Sequence, residues 1–394
     1  MTAGVHWIGL IPGDGYGDAT LQYLAALDAL GVPVTWTPVA WPPRPSESAA
    51  AYDGPLAHLV GRAVEHDTVV LHMPPNHAVH WLAQATNQRA VCVCTWETDR
   101  LSEESVHQIE TFDAVVVPSR FNRDALLASG CSTPVHVVPH IARKVRAVGP
   151  PSFERIGDRF LFYVIATWST RKAMADTIRA FLDAFESRDD VGLVIKTSSD
   201  DQQAVARARR GEHLETWTGL ALASLLAGRR RVPAIQLIAG PVPSAEIDAL
   251  HTRGDCFFSL TRSEGWGLCS ADAVLFGNPV VITGWGGHLD YLGANYPLLV
   301  DFDLVSTASD PVDDWFEARP GFRWARARHD HAVGVLRWVA DHPAEAAVLT
   351  APIREHLARE CAPQVIGSRL LDALQTVRAR KDRGQSAPRR SQHA

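Results

Sequence analysis

Two carboxylates and a glycine-containing turn stand together in residues 262–279, which read RSEGWGLCSADAVLFGNP. Glu264 and Asp272 are eight positions apart, with two glycines between them. Glycine permits a tight turn that exposes backbone amides. We expect a helix to begin near Ser270, so that its free N–H groups and its dipole favour an anion at the turn.

Carboxylates next to an anion repel it, unless they bind hydroxyl groups on either side of it. A nucleotide sugar has this layout, because the sugar hydroxyls precede its diphosphate and the ribose hydroxyls follow it. The stretch therefore predicts a sugar-nucleotide site in which the turn and the helix start receive the diphosphate.

Apolar, β-branched runs alternate with amphipathic segments along the chain, which predicts parallel sheets covered by helices on both faces. One series ends at PVHVVPH, and a second begins with RFLFYVIATW after a polar, proline-bearing stretch. Ser119 is expected to cap the helix that follows it. The pattern indicates one Rossmann-like domain at 1–143 and another at 144–378. The polar segment 379–394 is expected to be a disordered tail.

Ligands of open α/β sheets bind beyond the carboxyl ends of the strands. The loops expected to contact a ligand are therefore 11–17, 72–77, 95–100, 167–172, 196–200 and 262–270. Two such sheets that face each other form an interdomain cleft, which is a usual place for a substrate.

Composition narrows the class of protein. The chain has 394 residues, 46% of them hydrophobic and 21% charged, with a formal net charge of -6. This argues against a nucleic-acid surface spread over the protein. The six cysteines are scattered, which predicts reduced thiols in a cytoplasmic protein rather than a disulfide framework or a metal pair. We find neither a signal-peptide pattern nor an apolar run long enough to span a membrane.

The first half of the chain offers candidates for the acceptor side of the cleft. His72 and His77, in LHMPPNH, follow a strand and are predicted to line the acceptor pocket, although a histidine in such a place is also commonly structural. GDGYG lacks the third glycine of a dinucleotide-binding fingerprint. We interpret Gly15, Tyr16 and Gly17 as a loop that closes over the cleft.

The 262–279 stretch resembles the Glu-x7-Glu signature of retaining glycosyltransferases of family four, with Asp272 in place of the second glutamate and Trp266 in place of the usual phenylalanine. Further segments that resemble the family are TWETDRL (95–101), VVVPSRFNRDALLASG (115–130), VHVVPHIA (135–142) and ATWSTRKAMADTIRAF (166–181). The resemblance implies an α/β chain of the GT-B fold, with two facing Rossmann-like domains and an interdomain cleft, and it is strongest to mannosyltransferase-like members. It also implies that 1–143 is the acceptor-side domain and that 144–378 is the nucleotide-sugar domain, whose last helix packs back on the first domain.

The resemblance implies a role for each part of the turn. Glu264 is expected to hold hydroxyls of the transferred sugar, and Asp272 to hold the ribose, although aspartate is one methylene shorter than glutamate. The residues whose backbone is expected to approach the sugar and the phosphates are Gly265, Trp266, Gly267 and Leu268.

The resemblance also implies basic residues that hold the diphosphate leaving group without a metal ion. Arg171 and Lys172, at the start of a helix, and Lys196, at the end of a strand, occupy such places. The family often has a further arginine upstream, where this chain has Thr167 and Trp168, so Arg171 is the expected substitute. A solvated basic helix start is the structural alternative.

Glu97 stands where many relatives carry a histidine in the cleft. A carboxylate there could bind a hydroxyl of the donor sugar, orient the acceptor or take its proton, and a helix cap or a salt bridge is the structural alternative. His140, His288 and Asp290 are weaker candidates.

If the resemblance carries over, the protein transfers a sugar from a nucleoside diphosphate sugar with retention of the anomeric configuration. GDP is slightly favoured over UDP, and neither a cofactor nor a metal is expected. The acceptor stays open among a saccharide, a cyclitol, a lipid carrier and a small alcohol or thiol of secondary metabolism, such as antibiotic biosynthesis, with a soluble one favoured. The rival hypotheses are a catalytically silent sugar-nucleotide-binding subunit and a GT-B-fold sugar-nucleotide epimerase.

Overall fold

The computed structural model describes residues 4–43, 45, 50–86, 88–145, 157–198, 217–309 and 321–384, the last seven by their backbone. The chain divides into two compact units. The first comprises Met1–Trp96, Arg100–Ile141 and Arg359–Ala394, and the second comprises Glu97–Asp99 and Ala142–Ala358. Most of the polar connecting stretch, residues 146–156, lies outside the described residues.

In its described part, the sheet of the first unit has six parallel strands in the order β2-β1-β3-β4-β5-β6. The strands are β1 (Gly4–Leu10), β2 (Val34–Val39), β3 (His66–His72), β4 (Arg89–Val93), β5 (Ala114–Val117) and β6 (Val135–Val137). Strands β4 and β5 are buried along their whole length, as expected of parallel strands that are covered on both faces. The strand order reverses between β1 and β3.

Short α- and 3₁₀-helices connect these strands. The helices are α1 (Gly15–Ala29), α2 (Pro75–Ala78), α3 (Glu103–Glu110) and α4 (Arg120–Ala128), with 3₁₀ segments at Ala57–Leu59 and Val79–Ala85. The predicted cap of α4 is confirmed, because the Ser119 side chain accepts a hydrogen bond from the amide of Asn122. Each cap satisfies an amide that the helix itself leaves unpaired.

The described residues of the second unit form another sheet of six parallel strands, in the order β12-β11-β10-β7-β8-β9, and an antiparallel hairpin. The strands are β7 (Phe160–Ile165), β8 (Val191–Thr197), β9 (Ala234–Ala239), β10 (Cys256–Ser259), β11 (Val280–Thr283), β12 (Leu299–Val300) and the hairpin strands β13 (Phe302–Ser306) and β14 (Arg323–Ala327). The helices are α5 (Met174–Phe185), α6 (Trp217–Leu226), α7 (Ser244–Arg253), α8 (Leu268–Phe276), α9 (Leu289–Leu292), α10 (His329–Asp341) and α11 (Pro343–Glu360), with a 3₁₀ turn at Thr307–Ser309.

The strand order of the second sheet reverses between β7 and β10, which are neighbours in the sheet although two strands separate them in sequence. At such a switch point the connections leave to opposite sides and open a crevice at the carboxyl ends of the strands. The loops that follow β7 and β10 therefore meet at one place.

The last helix, α12 (Pro363–Gly384), returns to the first unit and packs on α1. The approach is close at Gly367, where an added Cβ atom would lie 3.0 Å from a methyl carbon of Leu30 and 3.1 Å from the Cβ of Ala26. The helix continues to Gly384, so the segment expected to be disordered from 379 is helical at its start. Residues 385–394 lie outside the described residues.

Candidate functional site

The turns after β7 and β10 bring two cations and a carboxylate together in the second unit. Lys172 donates from Nζ to both oxygens of Glu264, at 2.6 and 2.8 Å. Arg171 approaches the same carboxylate from its Nη1 at 3.5 Å, and the Nη1 group also donates to the Ser263 carbonyl at 2.8 Å. The side chains of Glu264 and Lys172 are 13% and 17% exposed, so water screens this ion pair only partly.

Burial by itself raises the pKa of Glu264, but the charges of Lys172 and Arg171 outweigh it and lower that pKa to about 2. The carboxylate is therefore ionised at neutral pH. It can accept hydrogen bonds but cannot donate a proton.

Glu97 belongs to the same cluster. Its Oε1 lies 3.7 Å from Nη2 of Arg171, in the three-residue segment that groups with the second unit. Arg171 thus lies between two carboxylates, and the two predicted catalytic carboxylates share one cation.

The helix start expected at Arg171 and Lys172 is wrong by a few residues, because α5 begins at Met174. Ala173 adopts a left-handed conformation with φ +47°, which is uncommon for a residue with a side chain. The chain therefore turns sharply immediately after the two cations, and both lie on the turn instead of on the helix.

Arg262 connects the turn after β10 to the turn after β7 through hydrogen bonds. Its backbone amide donates to the Arg171 carbonyl at 2.7 Å, and its Nε donates to the Thr170 carbonyl at 3.2 Å. The guanidinium lies 5.6 Å from the ring centroid of Trp324, and the residue is buried. No local pattern marks Arg262, because its contacts come from segments distant in sequence.

The glycine turn between β10 and α8 has the expected form, although α8 begins at Leu268 rather than near Ser270. Gly267 has φ +85°, and an added Cβ atom would lie 2.6 Å from the Ser270 hydroxyl oxygen, so a side chain here is strained in two ways. Trp266 is buried and packs against Tyr291, with 5.0 Å between the ring centroids. The helix start offers amides that lack intrahelical acceptors, which is a favourable place for a phosphate.

A second glycine-rich turn, GWGG at 284–287, holds the backbone of Glu264. The amide of Gly287 donates to the Glu264 carbonyl at 2.7 Å. An added Cβ atom on Gly286 would lie 3.0 Å from that carbonyl oxygen and 3.1 Å from the Glu264 nitrogen. Close approach of the two backbones therefore favours glycine at 286.

His288 is fully buried beside this turn, and its Nε2 donates to the Thr283 carbonyl at 2.8 Å. Burial lowers the pKa of His288, partly opposed by the Thr283 hydrogen bond and by Glu264, so the ring is neutral at physiological pH. His288 therefore supports the 284–287 turn, which holds the backbone of Glu264.

Asp272 lies in α8 and is held by an arginine. Nη1 of Arg143 donates to Oδ2 of Asp272 at 3.0 Å, and Nη2 of Arg143 contacts Oδ1 of Asp248 in α7. Arg143 and Asp248 were not predicted, because Arg143 stands next to a polar connecting stretch and no local pattern marks it.

Lys196 lies at the end of β8, as expected. Its Nζ donates to the Thr197 carbonyl at 3.0 Å, and among the described residues no carboxylate forms an ion pair with it. Burial lowers its pKa, a shift that the nearby Cys269 partly opposes. The structure therefore does not place Lys196 in the Glu264 cluster.

The loop expected at Gly15, Tyr16 and Gly17 is instead the first turn of α1 in the first unit. Asp14 caps this helix by accepting from the Gly17 amide at 2.8 Å. A Cβ atom on Gly17 would lie 2.0 Å from the Ile11 carbonyl oxygen, so tight packing of the helix start on the end of β1 requires glycine. The Tyr16 hydroxyl accepts from the amide and the hydroxyl of Thr95, each at 3.1 Å.

His72 is buried at the end of β3. It hydrogen-bonds the Thr20 hydroxyl at 2.8 Å and contacts the edge of Trp7 at a ring distance of 5.5 Å. Burial, with a smaller contribution from His140, lowers the pKa of His72 to about 3. These contacts favour the structural alternative for this residue.

His77 lies in α2, half-buried, with its ring 5.0 Å from that of Trp41. Burial, with a smaller contribution from His80, lowers its pKa. Its predicted place in an acceptor pocket stays a prediction.

All six cysteines are free thiols. Within the described ranges, no group of three or more histidine, cysteine, aspartate or glutamate side chains is arranged to hold a metal ion. Among the helices that the structure describes, none is long and apolar enough to cross a membrane.

No protein-family model matches the chain, and no curated protein is significantly similar to it. Solved structures are similar in fold. Sucrose-phosphate synthase from Thermosynechococcus elongatus is 14% identical with a TM-score of 0.65, over 96% of this chain and 100% of that one. The α,α-trehalose 6-phosphate synthase from Burkholderia multivorans is 13% identical with a TM-score of 0.65, over 99% and 100% of the two chains.

HepE from Anabaena, solved in complex with UDP-glucose, is 11% identical with a TM-score of 0.63, over 95% of this chain and 99% of that one. At these identities the similarity concerns the fold. The prediction of two Rossmann-like domains with the GT-B fold is confirmed.

Proposed function

We propose that the protein is a retaining glycosyltransferase that transfers a sugar from a nucleoside diphosphate sugar to an acceptor. The observation that carries the proposal is the Glu264 carboxylate, held by Lys172 and Arg171 at the switch point of the second sheet and next to the N-terminus of α8. The fold shared with two sugar-phosphate synthases, and with HepE, which was solved with UDP-glucose, supports it.

In this proposal the cations and the helix start receive the diphosphate. Phosphate oxygens and carboxylate oxygens are the same kind of partner for Lys172 and Arg171. A diphosphate at the turn would therefore compete for these cations and leave Glu264 to accept hydrogen bonds from sugar hydroxyls. Asp272, one helical turn further along α8, would accept from the ribose.

The chemical step follows from the protonation state of Glu264. A carboxylate with a pKa of about 2 is a weak base, so Glu264 is poorly suited to take the proton of the acceptor. We propose that the acceptor oxygen bonds to the anomeric carbon on the face from which the diphosphate leaves, while a departing phosphate oxygen takes the acceptor proton. Lys172 and Arg171 would stabilise the charge that develops on that diphosphate.

The nucleotide base, the acceptor, the cellular location and the metal requirement are also part of the proposal. The family resemblance favours GDP and mannosyltransferase-like chemistry, whereas HepE was solved with UDP-glucose, so both bases enter the test. We propose a soluble acceptor, a place in secondary metabolism, cytoplasmic location and a reaction that needs no metal ion. We also propose that Lys196 binds the diphosphate and that Glu97 binds a hydroxyl of the donor sugar, orients the acceptor or takes its proton.

Calorimetric titration and thermal unfolding with UDP, GDP and their sugar conjugates test the donor site. A ligand that binds only the native state stabilises it by about 2.7 kcal/mol at a concentration a hundred times its Kd. A rise in Tm with one nucleotide series supports the proposal. Failure of every nucleotide to bind would overturn it.

Turnover of a labelled donor with a panel of soluble acceptors, in the presence of EDTA, tests the reaction. The coupling constant of the anomeric proton in the product reports retention or inversion. Glu264→Gln should lose more than about 99% of turnover while it still binds the nucleoside diphosphate, because in this proposal Glu264 contacts the sugar, and the cations and the helix start bind the diphosphate. Glu103→Gln, at the exposed start of α3, is the matched control. Binding without turnover with any acceptor would favour a silent binding subunit.

A further inference from the structure

Arg143 joins two helices of the second unit through two carboxylates. Asp248 lies in α7 and Asp272 in α8, and the guanidinium reaches one with each terminal nitrogen. Asp248, with a side chain 9% exposed, is the more buried of the two. Because both partners lie on separate helices, the guanidinium determines how these two carboxylates face each other.

The plane of the guanidinium is also held in place. Its central carbon lies 6.0 Å from the ring centroid of Phe276, one helical turn beyond Asp272. Arginine forms such paired and stacked contacts through a rigid planar fork, which lysine lacks. Arg143 is thus immobilised by three groups, and Asp272 by its bond to Arg143.

The Arg143 bond takes up only part of what a carboxylate can accept. An ionised carboxylate has about four acceptor positions, and Nη1 of Arg143 occupies one of them on Oδ2. The positive charge also offsets the repulsion between Asp272 and an anion at the start of the same helix.

We propose that Arg143 is a positioning residue for the nucleotide: it holds Asp272 in the orientation that receives the ribose hydroxyls, and so makes the site selective for ribonucleotides. The inference rests on the proposed function, because it takes the second sheet to bind a nucleoside diphosphate. Arg143 acts through Asp272 and does not itself touch the substrate.

Calorimetry on the full chain tests this with four probes: UDP, GDP and their 2′,3′-dideoxy forms. The wild-type protein should bind the ribonucleotide of its preferred base at least about tenfold more tightly than the dideoxy form, since lost hydrogen bonds to a charged acceptor cost that much. Arg143→Ala should reduce this preference to less than about threefold.

The chain offers a closely matched control in Arg188. This arginine also bridges two aspartates, Asp190 at 2.6 Å and Asp341 at 2.5 Å, and lies 5.9 Å from the ring of Phe185. Arg188→Ala should keep the full ribose preference. An equal loss in both variants would make Arg143 a structural arginine only and would overturn the inference.

A double-mutant cycle separates positioning from general stability. In an Asp272→Asn background the ribose preference is already lost, so Arg143→Ala should change it by less than about twofold. Arg143→Lys keeps the positive charge, so it should fold, but lysine cannot bridge both carboxylates, so its ribose preference should be intermediate. This variant also provides the test if Arg143→Ala fails to fold.

The outcomes point to different conclusions. If the wild-type protein binds a ribonucleotide tightly and Arg143→Ala or Arg143→Lys retains its ribose preference, the inference is overturned and the proposed function stands. If the wild-type protein binds neither UDP nor GDP, the proposed function fails and the inference fails with it.

Discussion

Lys172 and Glu264 form a two-point ion pair, with Nζ 2.6 and 2.8 Å from the two carboxylate oxygens. The residues are 92 positions apart in sequence and meet because β7 and β10 are adjacent strands. Each side chain fixes the orientation of the other, so a charged ligand would meet both in this orientation. The pair therefore links the fold of the second sheet directly to the proposed chemistry.

Removal of Lys172 should disable the donor site. Lys172→Met takes away one of the two cations at Glu264, and loss of one group that stabilises transition-state charge costs about 10²- to 10³-fold in rate. We expect a fall of that size in kcat/KM, measured with the labelled donor. Lys144→Met, an exposed lysine, is the matched control. Equal activity of the two variants would remove Lys172 from the site.

Glu264 should make stability depend on pH in the acid range. Its pKa is lowered from 4.5 to about 2, so the stabilisation is complete above pH 4.5 and is lost as pH falls towards 2. The free energy of unfolding of the wild type relative to Glu264→Gln should fall by up to about 1.4 kcal/mol per pH unit in this window. Urea titrations from pH 6 to pH 3 measure it, and a difference that does not change with pH contradicts the prediction.

Buried histidines should add a dependence of the same sign at higher pH. Burial, with smaller contributions from neighbouring histidines at His6 and His72, lowers the pKa values of His6, His72 and His140 from 6.5 to about 4, 3 and 4. Between these values and 6.5 the unfolded chain binds more protons, so stability rises with pH.

The test is the slope of the unfolding free energy between pH 4.5 and 6.5. His72→Gln should reduce this slope by up to about 1.4 kcal/mol per pH unit, which is the contribution of one whole proton. His58→Gln, at a side chain 60% exposed, is the control. A slope that His72→Gln leaves unchanged would show that His72 is protonated in the native state.

Two glycine-to-alanine changes should act in opposite directions. Gly17→Ala puts a Cβ atom 2.0 Å from the Ile11 carbonyl oxygen, so we expect a loss of at least about 2 kcal/mol in the free energy of unfolding. Gly334, inside α10, has no atom within 4 Å of an added Cβ. Gly334→Ala should stabilise by about 0.5–1 kcal/mol. Denaturant midpoints of the two variants decide both expectations.

Much of the fold follows from local pattern. The alternation of β-branched runs with amphipathic segments predicted both Rossmann-like units, and Ser119 predicted the start of α4. The turn before α8 could also be predicted from its glycines, because a position with a left-handed backbone, such as that of Gly267, accepts few residues other than glycine. Glu264 and Asp272 drew attention through their spacing around that turn.

Other features could not be predicted from the local sequence, and the reason is the same for each. Gly15, Tyr16 and Gly17 were expected to be a loop, but the Asp14 cap starts α1 there. His72 was predicted to line the acceptor pocket, and its contacts with Trp7 and Thr20 favour the structural alternative. Local composition does not report which neighbours cover a residue.

The sequence by itself determined where strands, helices and tight turns form, since these depend on residues two to four positions apart. Only the tertiary structure decided which loops meet. The pairing of Lys172 with Glu264, and of Arg143 with Asp272, depends on strand order and helix packing across 92 and 129 positions. Ion pairs of this kind are set by distances in space, and a local periodicity carries no information about them.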